Sequence, residues 1–511
     1  MILDKQDATH VSVCIVGSGI GGSTLALKLA SKNISFIIIE AGGLDTCNSD
    51  IQMENIGRKM GLRSTRSIQL GGTSNLWHGV LSPLDKIDFE KRDWIPNSGW
   101  AITLNDLNPF YKEAANIFNV KDYDYFNASK VSIDLYKKID DMRFNRDNFK
   151  NKLFQQPLPT KNFKNDILEL VKDSKNSHLL LNAVALEFVK NGDKVSSLKC
   201  GNDSGIFEIK ADYFVSAAGA LESPRLLLNS KIKNSNIGKY LMDHPMTSLC
   251  QIQPQYIQNT HIYSAIRYVP SVVIKTGIVL KDSVQRSLKL PNHNFFMRPS
   301  FTKGINNGLE KIKLSLLTFK DGKFKLKDLW KVLTSLNIIY QVLIYRFSLD
   351  TKYKYVDLFS VTEQFPMPES NVSLSNKKDK WGYPISKVNW QVSEQEILLI
   401  KKWYDFIQSG CFSKDDFKIT SEFNKESWIG DFTSAAHHVG TARMGETSKT
   451  GVVDKNLKVF DCDNLYVCDG SVFTTSGNVN CGFTIAAFAC RLADFIVHKK
   501  NIATNERADD D

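Results

Sequence analysis

The stretch VSVCIVGSGIGG at residues 11–22 decides the fold class, because an apolar run passes directly into a glycine-rich turn. A segment with apolar residues at helical spacing follows, and a second apolar run, FIII at residues 36–39, ends in Glu40. Short apolar runs bounded by glycine or by an acid predict buried strands, and the periodicity between them predicts a helix. The order strand, turn, helix, strand and acid therefore predicts a βαβ unit.

The glycine turn has the chemistry of a dinucleotide site, since Gly17, Gly19 and Gly22 match the pattern G-x-G-x-x-G. The first glycine permits the tight turn, the second lets the backbone approach a pyrophosphate, and the third allows close helix–strand packing. The helix N-terminus offers N–H groups to phosphates, and Glu40 stands where a carboxylate binds ribose hydroxyls. NAD and FAD share this pattern, whereas an acid at position 40 disfavours NADP. The predicted dinucleotide-binding residues of this unit are Gly17, Ser18, Gly19, Ile20, Gly21, Gly22, Glu40 and Ala41.

Composition places the chain among ordinary globular proteins, with 511 residues, 42% hydrophobic and 23% charged. These values exclude a disordered chain, a collagen-like fibre and a disulfide scaffold. At roughly 100–200 residues per domain, the length predicts two to four domains or one composite fold. The net charge is 65 − 55 = +10, which we interpret as a solvated surface. No motif indicates a nucleic-acid partner.

Cysteine usage and the N-terminus bear on the compartment. The nine cysteines include no CxxC pair and no Cys/His zinc spacing, so we predict no metal site. Cys14, Cys468 and Cys490 lie in apolar surroundings and are interpreted as buried free thiols, which favours a reducing compartment. Acidic residues stand where a signal peptide would carry positive charge. We therefore expect a cytoplasmic protein.

One apolar segment, VLTSLNIIYQVLIY at residues 332–345, follows a basic stretch at 320–327. It is shorter than the roughly 20 apolar residues that a membrane-spanning helix needs, and Asn337 and Gln341 interrupt it. Two interpretations remain open. The segment is a buried core helix, or it is a monotopic helix that makes residues 320–346 a peripheral contact with the inner face of a membrane.

Further elements are predicted along the chain. A helix is expected to start in Thr103–Asp106, and residues 178–218 are typical of a meander of strands. Near the C-terminus we predict a strand at Leu465–Val467 and an apolar helix at Thr484–Val497.

Beyond the glycine turn, several segments resemble the glucose–methanol–choline (GMC) family of FAD-dependent oxidoreductases, nearer to its pyranose oxidases and bacterial sugar dehydrogenases. They occur in the family's order. The matching segments are GGTSNLW at 71–77, GALESPRLLL at 219–228, NIGKYLMDHP at 236–245, HHVGTARMG at 437–445, DGS at 469–471 and NCGFT at 480–484.

The resemblance implies a fold class that combines α/β and α+β parts. It consists of a discontinuous Rossmann-like FAD-binding domain and a substrate domain built on an antiparallel sheet. The FAD-binding domain would comprise residues 1–90, 170–250 and 430–511. The substrate-binding or cap domain would comprise residues 91–169 and 251–429.

The resemblance also implies FAD as the cofactor and assigns residues to it. Members with covalently bound flavin carry a histidine where this chain has Leu76, so we expect non-covalent FAD, with His78 as the weaker alternative for a covalent bond. The residues implied for FAD are Gly72, Thr73, Ser74 and Asn75 beside the flavin, Val184 near the adenine, and Gly219, Asp469 and Gly470 near the pyrophosphate or ribityl chain.

The catalytic pair follows from the chemistry and the family's motifs together. Hydride transfer from an alcohol carbon to flavin N5 needs a base within reach of the hydroxyl, and histidine suits this role near neutral pH. A neutral polar group should hold the oxygen. The family's His/His or His/Asn pair corresponds to His437 and Asn480. His438 stands where the family often has proline, and we expect only one of the two histidines in the pocket; His438 as the base, or two structural histidines, are the alternatives. Cys481 replaces the usual proline after Asn480.

The expected function is oxidation of a primary or secondary alcohol to a carbonyl. A sugar, aminosugar or polyol is favoured, because the GGTSNLW loop is similar to that of the sugar-oxidising members. A dehydrogenase is favoured over an oxidase, since a cytoplasmic enzyme that makes peroxide would burden its cell; the motifs do not specify the electron acceptor. The alternatives are the same chemistry on a lipid-linked substrate at a membrane surface, and a redox-neutral flavin-dependent lyase.

Overall fold

The computed structural model describes most of the chain. The described residues are 10–48, 51–62, 65–121, 123–126, 144–172, 174–254, 266–269, 271–300, 303–304, 339, 354–412, 417–421, 424, 426, 428–429 and 432–509.

The helices and strands are numbered here in chain order. The strands are β1 (Val11–Val16), β2 (Phe36–Ile39), β3 (Met53–Asn55), β4 (Phe149–Pro157), β5 (Ser177–Leu180), β6 (Val184–Asn191), β7 (Lys194–Asn202), β8 (Gly205–Ile209), β9 (Ala211–Ser216), β10 (Pro245–Pro254), β11 (Ile266–Val269), β12 (Val272–Leu280), β13 (Asn294–Ser300), β14 (Tyr355–Val361), β15 (Asn371–Lys378), β16 (Pro384–Asn389), β17 (Phe417–Ser421), β18 (Thr433–Ser434) and β19 (Leu465–Val467). The helices are α1 (Ile20–Ser31), α2 (Lys86–Phe89), α3 (Leu104–Ile117), α4 (Phe163–Lys172), α5 (Ser223–Asn229), α6 (Asp282–Leu288), α7 (Glu394–Gly410) and α8 (Gly482–Asp509).

A five-stranded parallel sheet has the order β19-β9-β1-β2-β5. All six residues of β1 and all four residues of β2 are buried, as expected for strands with helices or loops on both faces. The predicted βαβ unit is confirmed, because β1, α1 and β2 follow one another and β1 pairs with β2 in parallel. This sheet contains strands from widely separated parts of the chain.

An antiparallel sheet forms the second large layer, with the order β11-β12-β13-β14-β10-β17. Strand β4 pairs along β12, and the short strand β18 pairs with the start of β10. Helix α7 covers this sheet, since its Trp403 and Tyr404 belong to the same buried cluster as Phe295 and Leu358. The predicted combination of a parallel and an antiparallel part is therefore confirmed. Two three-stranded sheets, β15-β16-β3 and β6-β7-β8, complete the described sheets.

The finer sequence predictions have mixed outcomes. Helix α3 follows the predicted start, with Thr103 and Asp106 in a reciprocal capping box, and β19 has the predicted bounds. Residues 178–218 do not form one meander: β5 and β9 join the parallel sheet, and only β6, β7 and β8 form the antiparallel unit. Alternation of apolar residues predicts a strand but not the sheet that it joins. Helix α8 is longer than the predicted Thr484–Val497.

The predicted domain boundaries can be compared with these sheets. The parallel strands fall within 1–90, 170–250 and 430–511, whereas the boundary at 250 falls inside β10. The division into two domains stays a prediction.

Within the described part of the chain, no helix combines the length and the apolar character needed to cross a membrane. Apart from Ile339, the segment 320–346 lies outside the described residues, so the membrane interpretation of it stays a prediction.

Candidate active site

A cleft opens where parallel strands reach their carboxyl ends. Strand β1 leads into Gly17, β2 into Glu40, β9 into Ala217, and β19 through Cys468 into Asp469. Ligands of open parallel sheets bind at this edge. The cleft has a volume of about 390 Å³. The predicted site residues that line it are Gly17, Ser18, Gly19, Ile20, Gly21, Glu40, Ala41, Gly72, Thr73, Ser74, Val184, Gly219, His437, Asp469, Gly470 and Asn480.

The glycine turn after β1 leaves open space at one position and none at two others. Gly17 has φ +98°, and a Cβ added to it would lie 2.6 Å from the carbonyl oxygen of Ala217. A Cβ at Gly22 would lie 2.0 Å from the carbonyl oxygen of Gly17, so Gly22 packs α1 against the turn and does not line the cleft. A Cβ at Gly19 would meet no protein atom within 4 Å. Of these three glycines, Gly19 alone has open space at the place where a side chain would project.

Glu40 closes the turn from the second strand. One carboxylate oxygen accepts hydrogen bonds from the Ser18 backbone N–H at 3.0 Å and from its hydroxyl at 2.5 Å, and the other accepts from Gly42 N–H at 3.1 Å. Burial raises the pKa of Glu40, against the lowering effect of these hydrogen bonds. The carboxylate thus orders the glycine turn, a role that the sequence prediction of a ribose contact did not include.

Asp469 organises the opposite side of the cleft. Its carboxylate accepts from the Gly219 N–H at 2.9 Å, the Ser471 N–H at 2.8 Å and the Ser223 hydroxyl. Burial raises the pKa of Asp469, and these donors oppose that effect. Gly219 has φ +84° and no protein atom within 4 Å of an added Cβ. Gly19 and Gly219 therefore leave a backbone-lined cradle with room for an extended dinucleotide such as FAD.

The glycine-rich loop at 71–77 forms a further wall. Residues Gly72–Asn75 form a short 3₁₀ helix, and a Cβ at Gly72 would lie 2.7 Å from the Cα of Gly19. Asn75 does not line the cleft, because its amide nitrogen donates to the carbonyl oxygens of Leu70 and Gly72. Asn75 thus holds the loop from within. Leu76 and His78 are both exposed and both line the cleft.

The two proposed catalytic residues both line the cleft, His437 from the loop 435–438 and Asn480 from the segment just before α8. His438 lines the same cleft, which corrects the expectation that only one of the two histidines would reach it. Alternation of side chains holds for extended strands, but residues 435–438 form a loop in which Ala436 has φ +61°. Burial lowers the pKa of His438, and the charge of Asp243 partly offsets this effect.

Asp243 is a functional candidate that the sequence analysis quoted within a motif without a role. It is fully buried, and its carboxylate accepts from the backbone N–H of His437 at 3.0 Å and from that of His244 at 2.7 Å. Burial alone would raise the pKa of Asp243, but the rings of His438, His437 and His244 together with the Ser434 hydroxyl hold the pKa below its usual range.

Arg66 is a second residue that the sequence analysis missed. It lines the cleft five positions before the glycine-rich loop, and its guanidinium lies 3.8 Å from a carboxylate oxygen of Glu222. Burial lowers the pKa of Arg66. A buried cation in this wall could bind an anionic part of a cofactor. A single arginine outside any quoted motif gave no signal in the sequence.

The described portion of the chain holds no candidate metal centre. No group of three or more histidine, cysteine, aspartate or glutamate side chains there is arranged to hold a metal ion.

Two family models match the chain, both described as GMC oxidoreductase. The N-terminal model matches residues 161–246 and the C-terminal model matches residues 366–489. Together they include the loops that carry Gly219, Asp243, His437, Asp469 and Asn480.

Curated relatives match parts of the chain. A 2-methyl-1,2-propanediol dehydrogenase of Mycolicibacterium austroafricanum is 30% identical over 151 residues, which are 29% of this chain and 26% of the relative. A long-chain-alcohol oxidase of Arabidopsis thaliana is 22% identical over 311 residues, which are 57% of this chain and 36% of the relative. The matches thus span about a quarter to a third of the length of these relatives.

Among solved structures, the crystal structure of pyridoxine 4-oxidase from Mesorbium loti is similar over 96% of this chain and 99% of that one. The TM-score is 0.57 and the sequence identity is 16%. At this identity the likeness shows a shared fold.

Proposed function

We propose that this chain, which belongs to the GMC oxidoreductase family, oxidises a primary or secondary alcohol to a carbonyl with FAD as the hydride acceptor. Members of this family bind FAD, and the backbone-lined cradle between Gly19 and Gly219 has the open space that its pyrophosphate needs. The observation that carries the proposal is that His437 and Asn480 line the same cleft as Gly19 and Gly219. The cleft thus offers a base and an amide beside the cofactor cradle.

The proposed mechanism assigns one task to His437 and another to Asn480. Bound FAD supplies the hydride acceptor, its N5 atom. His437 removes the hydroxyl proton of the alcohol, since a neutral imidazole accepts a proton near neutral pH. Asn480 donates a hydrogen bond from its amide to the substrate oxygen and turns the carbon that carries the hydride toward the cofactor. His438 lines the same cleft and is the alternative base.

The proposal includes non-covalent FAD and a division of labour between the sheets. Leu76 occupies the position of the flavin-linking histidine in covalent members, and a leucine side chain forms no such bond. The parallel sheet and the loops at its carboxyl edge would hold FAD. The antiparallel sheet under α7 would form the substrate side.

A polyol or sugar is the proposed substrate class. A dehydrogenase that is named for a small diol, 30% identical over 151 residues, supports this choice. A second candidate is a long-chain or lipid-linked alcohol, which the similarity to a long-chain-alcohol oxidase supports. We propose a dehydrogenase, for which an acceptor other than oxygen takes the electrons.

An anaerobic absorption titration tests the function. The purified holoenzyme is mixed with a panel of sugars, polyols, short alcohols and long-chain alcohols, and air is admitted afterwards. We expect a sugar or polyol to bleach the flavin band near neutral pH, with slow recovery in air. A long-chain alcohol as the only reductant would replace the first substrate class by the second, and rapid recovery in air would indicate an oxidase.

The His437→Ala variant tests the proposed base in the same titration. Removal of a general base costs about 10²- to 10⁴-fold in rate. We expect flavin reduction to slow by that factor while the FAD content stays at the wild-type level. His438→Ala is the matched control, and a larger loss there than in His437→Ala would move the base to His438.

A further inference from the structure

A pair of consecutive buried residues, Asp243 and His244, contacts both loops that carry the proposed catalytic groups. These two residues are 0% and 1% exposed. Asp243 binds the loop of His437, and His244 binds the segment just before Asn480. One dipeptide thus contacts both the loop of His437 and the backbone beside Asn480, although these lie about 200 positions further along the chain.

The loop 435–438 has an unusual construction. Strand β18 pairs Ser434 with Pro245, and an antiparallel bridge pairs Val439 with Met242. Four residues, 435–438, therefore stand opposite only two, Asp243 and His244. The longer side must bulge, and the bulge lines the cleft. The positive φ of Ala436, +61°, is part of this shape.

The carboxylate of Asp243 fills the interior of the bulge. It accepts hydrogen bonds from the N–H of His437 at 3.0 Å and from the hydroxyl of Ser434, and it lies 3.8 Å from Nε2 of His438. The Ser434 hydroxyl oxygen in turn accepts the N–H of Ala436 at 3.0 Å. These polar contacts within the bulge thus all lead to this carboxylate.

The imidazole of His244 links the bulge to the second loop. One ring nitrogen, Nε2, lies 3.1 Å from the carbonyl oxygen of Val479, which directly precedes Asn480. The other, Nδ1, lies 3.1 Å from the carbonyl oxygen of Thr362 at the end of β14. The rings of His244 and His437 meet edge to face, with centroids 5.3 Å apart. His244 therefore contacts the catalytic histidine and the backbone beside the catalytic amide at once.

We propose that Asp243 and His244 are the positioning residues of this active site: Asp243 shapes the bulge that presents His437, and His244 fixes the spacing between His437 and Asn480. The inference rests on the proposed function for the roles of His437 and Asn480. Neither Asp243 nor His244 lines the cleft, so they act through the two residues that do.

The charge of Asp243 has a second effect, on the protonation of the bulge. A carboxylate beside an imidazole favours the imidazolium form, so removal of this charge lowers the pKa of the neighbouring histidines. The titratable or charged groups around the dipeptide include His437 and His438 on the bulge, Cys481 beside Asn480, Arg66 near His438, and Glu363 and His293 near His244.

The isosteric variant Asp243→Asn tests this charge in the holoenzyme. Labelling with [¹³Cε1]histidine lets NMR follow His437, whose signal is assigned by its loss in His437→Gln. We expect the titration midpoint of His437 to move to lower pH, and the acid limb of the flavin-reduction profile to move in the same direction. A His437 titration identical to that of the wild type would overturn the role of Asp243.

The variants His244→Leu and His244→Gln test the spacing. Leucine donates to neither the carbonyl of Val479 nor that of Thr362, whereas the glutamine amide, like a neutral imidazole, can donate to one of them. For His244→Leu we expect the maximal rate of flavin reduction to fall by about tenfold to a hundredfold at unchanged FAD content, because small displacements of reacting groups are costly. We expect His244→Gln to recover most of that rate.

His293→Leu is the matched control for His244→Leu, because His293 is a buried histidine that packs on Trp403, accepts the N–H of Glu363 and does not line the cleft. Equal losses of the maximal rate in His244→Leu and His293→Leu would assign His244 a structural role only and overturn the inference. If His244→Leu does not fold, His244→Gln and Asp243→Asn decide the question. The NMR titration needs no turnover. A panel without any reductant would therefore refute the proposed function, while the role of Asp243 is still measured.

Discussion

Gly17 and Gly19 stand two residues apart in the same turn, yet a side chain at each would meet different surroundings. At Gly17 a side chain meets the carbonyl oxygen of Ala217 in the neighbouring loop, and the backbone has a left-handed φ. At Gly19 it meets only the cleft. A substitution at Gly17 therefore tests the stability of the fold, whereas a substitution at Gly19 tests the proposed cofactor binding.

Substitutions at these glycines should differ in kind. Gly17→Ala should lower the free energy of unfolding by about 1–3 kcal/mol, because the added Cβ strains the backbone and approaches a fixed carbonyl. Gly19→Leu should keep the wild-type unfolding midpoint of the FAD-free protein and lose bound FAD, because its side chain fills the cradle. Urea unfolding and the ratio of flavin to protein absorbance measure the two effects. A Gly19→Leu protein that purifies with full FAD would show that the cofactor does not pass over this glycine.

The sequence predicted the turn that these glycines form because its signal is local. Turn, helix and strand follow one another within 30 residues, so spacing alone indicates the chemistry. Asp243 and His244 were quoted within a motif but received no role. Their partners His437 and Val479 lie 194 and 235 positions away, and nothing local specifies such pairs. Asn75 is the opposite case: its motif position suggests a contact with the cofactor, but its side-chain amide donates to the backbone of its own loop.

At the scale of elements, a buried ion pair connects the segment just after helix α2 with the segment just after strand β14. Arg92 and Glu363 are both fully buried, and the guanidinium meets the carboxylate through two hydrogen bonds, at 2.9 and 2.5 Å. Glu363 also accepts the N–H of Asn292 at 2.6 Å, so three separate segments meet at one carboxylate. A buried pair of this kind makes the removal of one partner costly.

Arg92→Met should destabilise the protein by about 3–5 kcal/mol, because it leaves the Glu363 carboxylate buried without its cation. The double variant with Glu363→Gln should recover part of this loss, since the amide oxygen can still accept from Asn292. Chemical unfolding of the wild type, both single variants and the double variant measures the interaction between the two residues. Additive losses would show that the pair contributes no coupling.

The elements themselves were predicted unevenly. Strands β1, β2 and β19 and the start of α3 followed from apolar runs and a capping box, which are local signals. The assignment of β5 and β9 to the parallel sheet did not follow, because a strand sequence does not name its partner. The pairing of β18 with β10, which begins the bulge at residues 435–438, spans almost 190 residues and involves only two pairs.

At the scale of the molecule, FAD joins parts of the chain that are far apart in sequence. The cleft takes residues from the turn at 17–22, the loop at 71–77, the segment after β9 and the loops after β19. A ligand that binds only the folded state stabilises it in proportion to the logarithm of its concentration. FAD should therefore contribute to the stability of the whole parallel sheet.

This coupling predicts a titratable melting temperature. Acid precipitation should release all the flavin into the supernatant, because the proposed binding is non-covalent. FAD-free protein should then melt at a temperature that rises with added FAD, with about 2.7 kcal/mol of stabilisation at a hundredfold excess over the dissociation constant. Gly19→Leu serves as the control that should not respond. Flavin retained in the acid pellet would indicate a covalent bond, for which His78 is the candidate residue.

The strand order of the parallel sheet has a consequence for biosynthesis. A ribosome delivers β1 and its glycine turn first, but β19, Asp469 and Asn480 emerge only after more than 460 residues have been joined. Until then the edge of the sheet beside β9 has no partner, and one wall of the cleft does not exist. Cofactor capture is therefore a late event, after nearly all of these 511 residues have been translated. The flavin colour of the protein would then report translation beyond β19, because a nascent chain stalled before β19 should stay colourless.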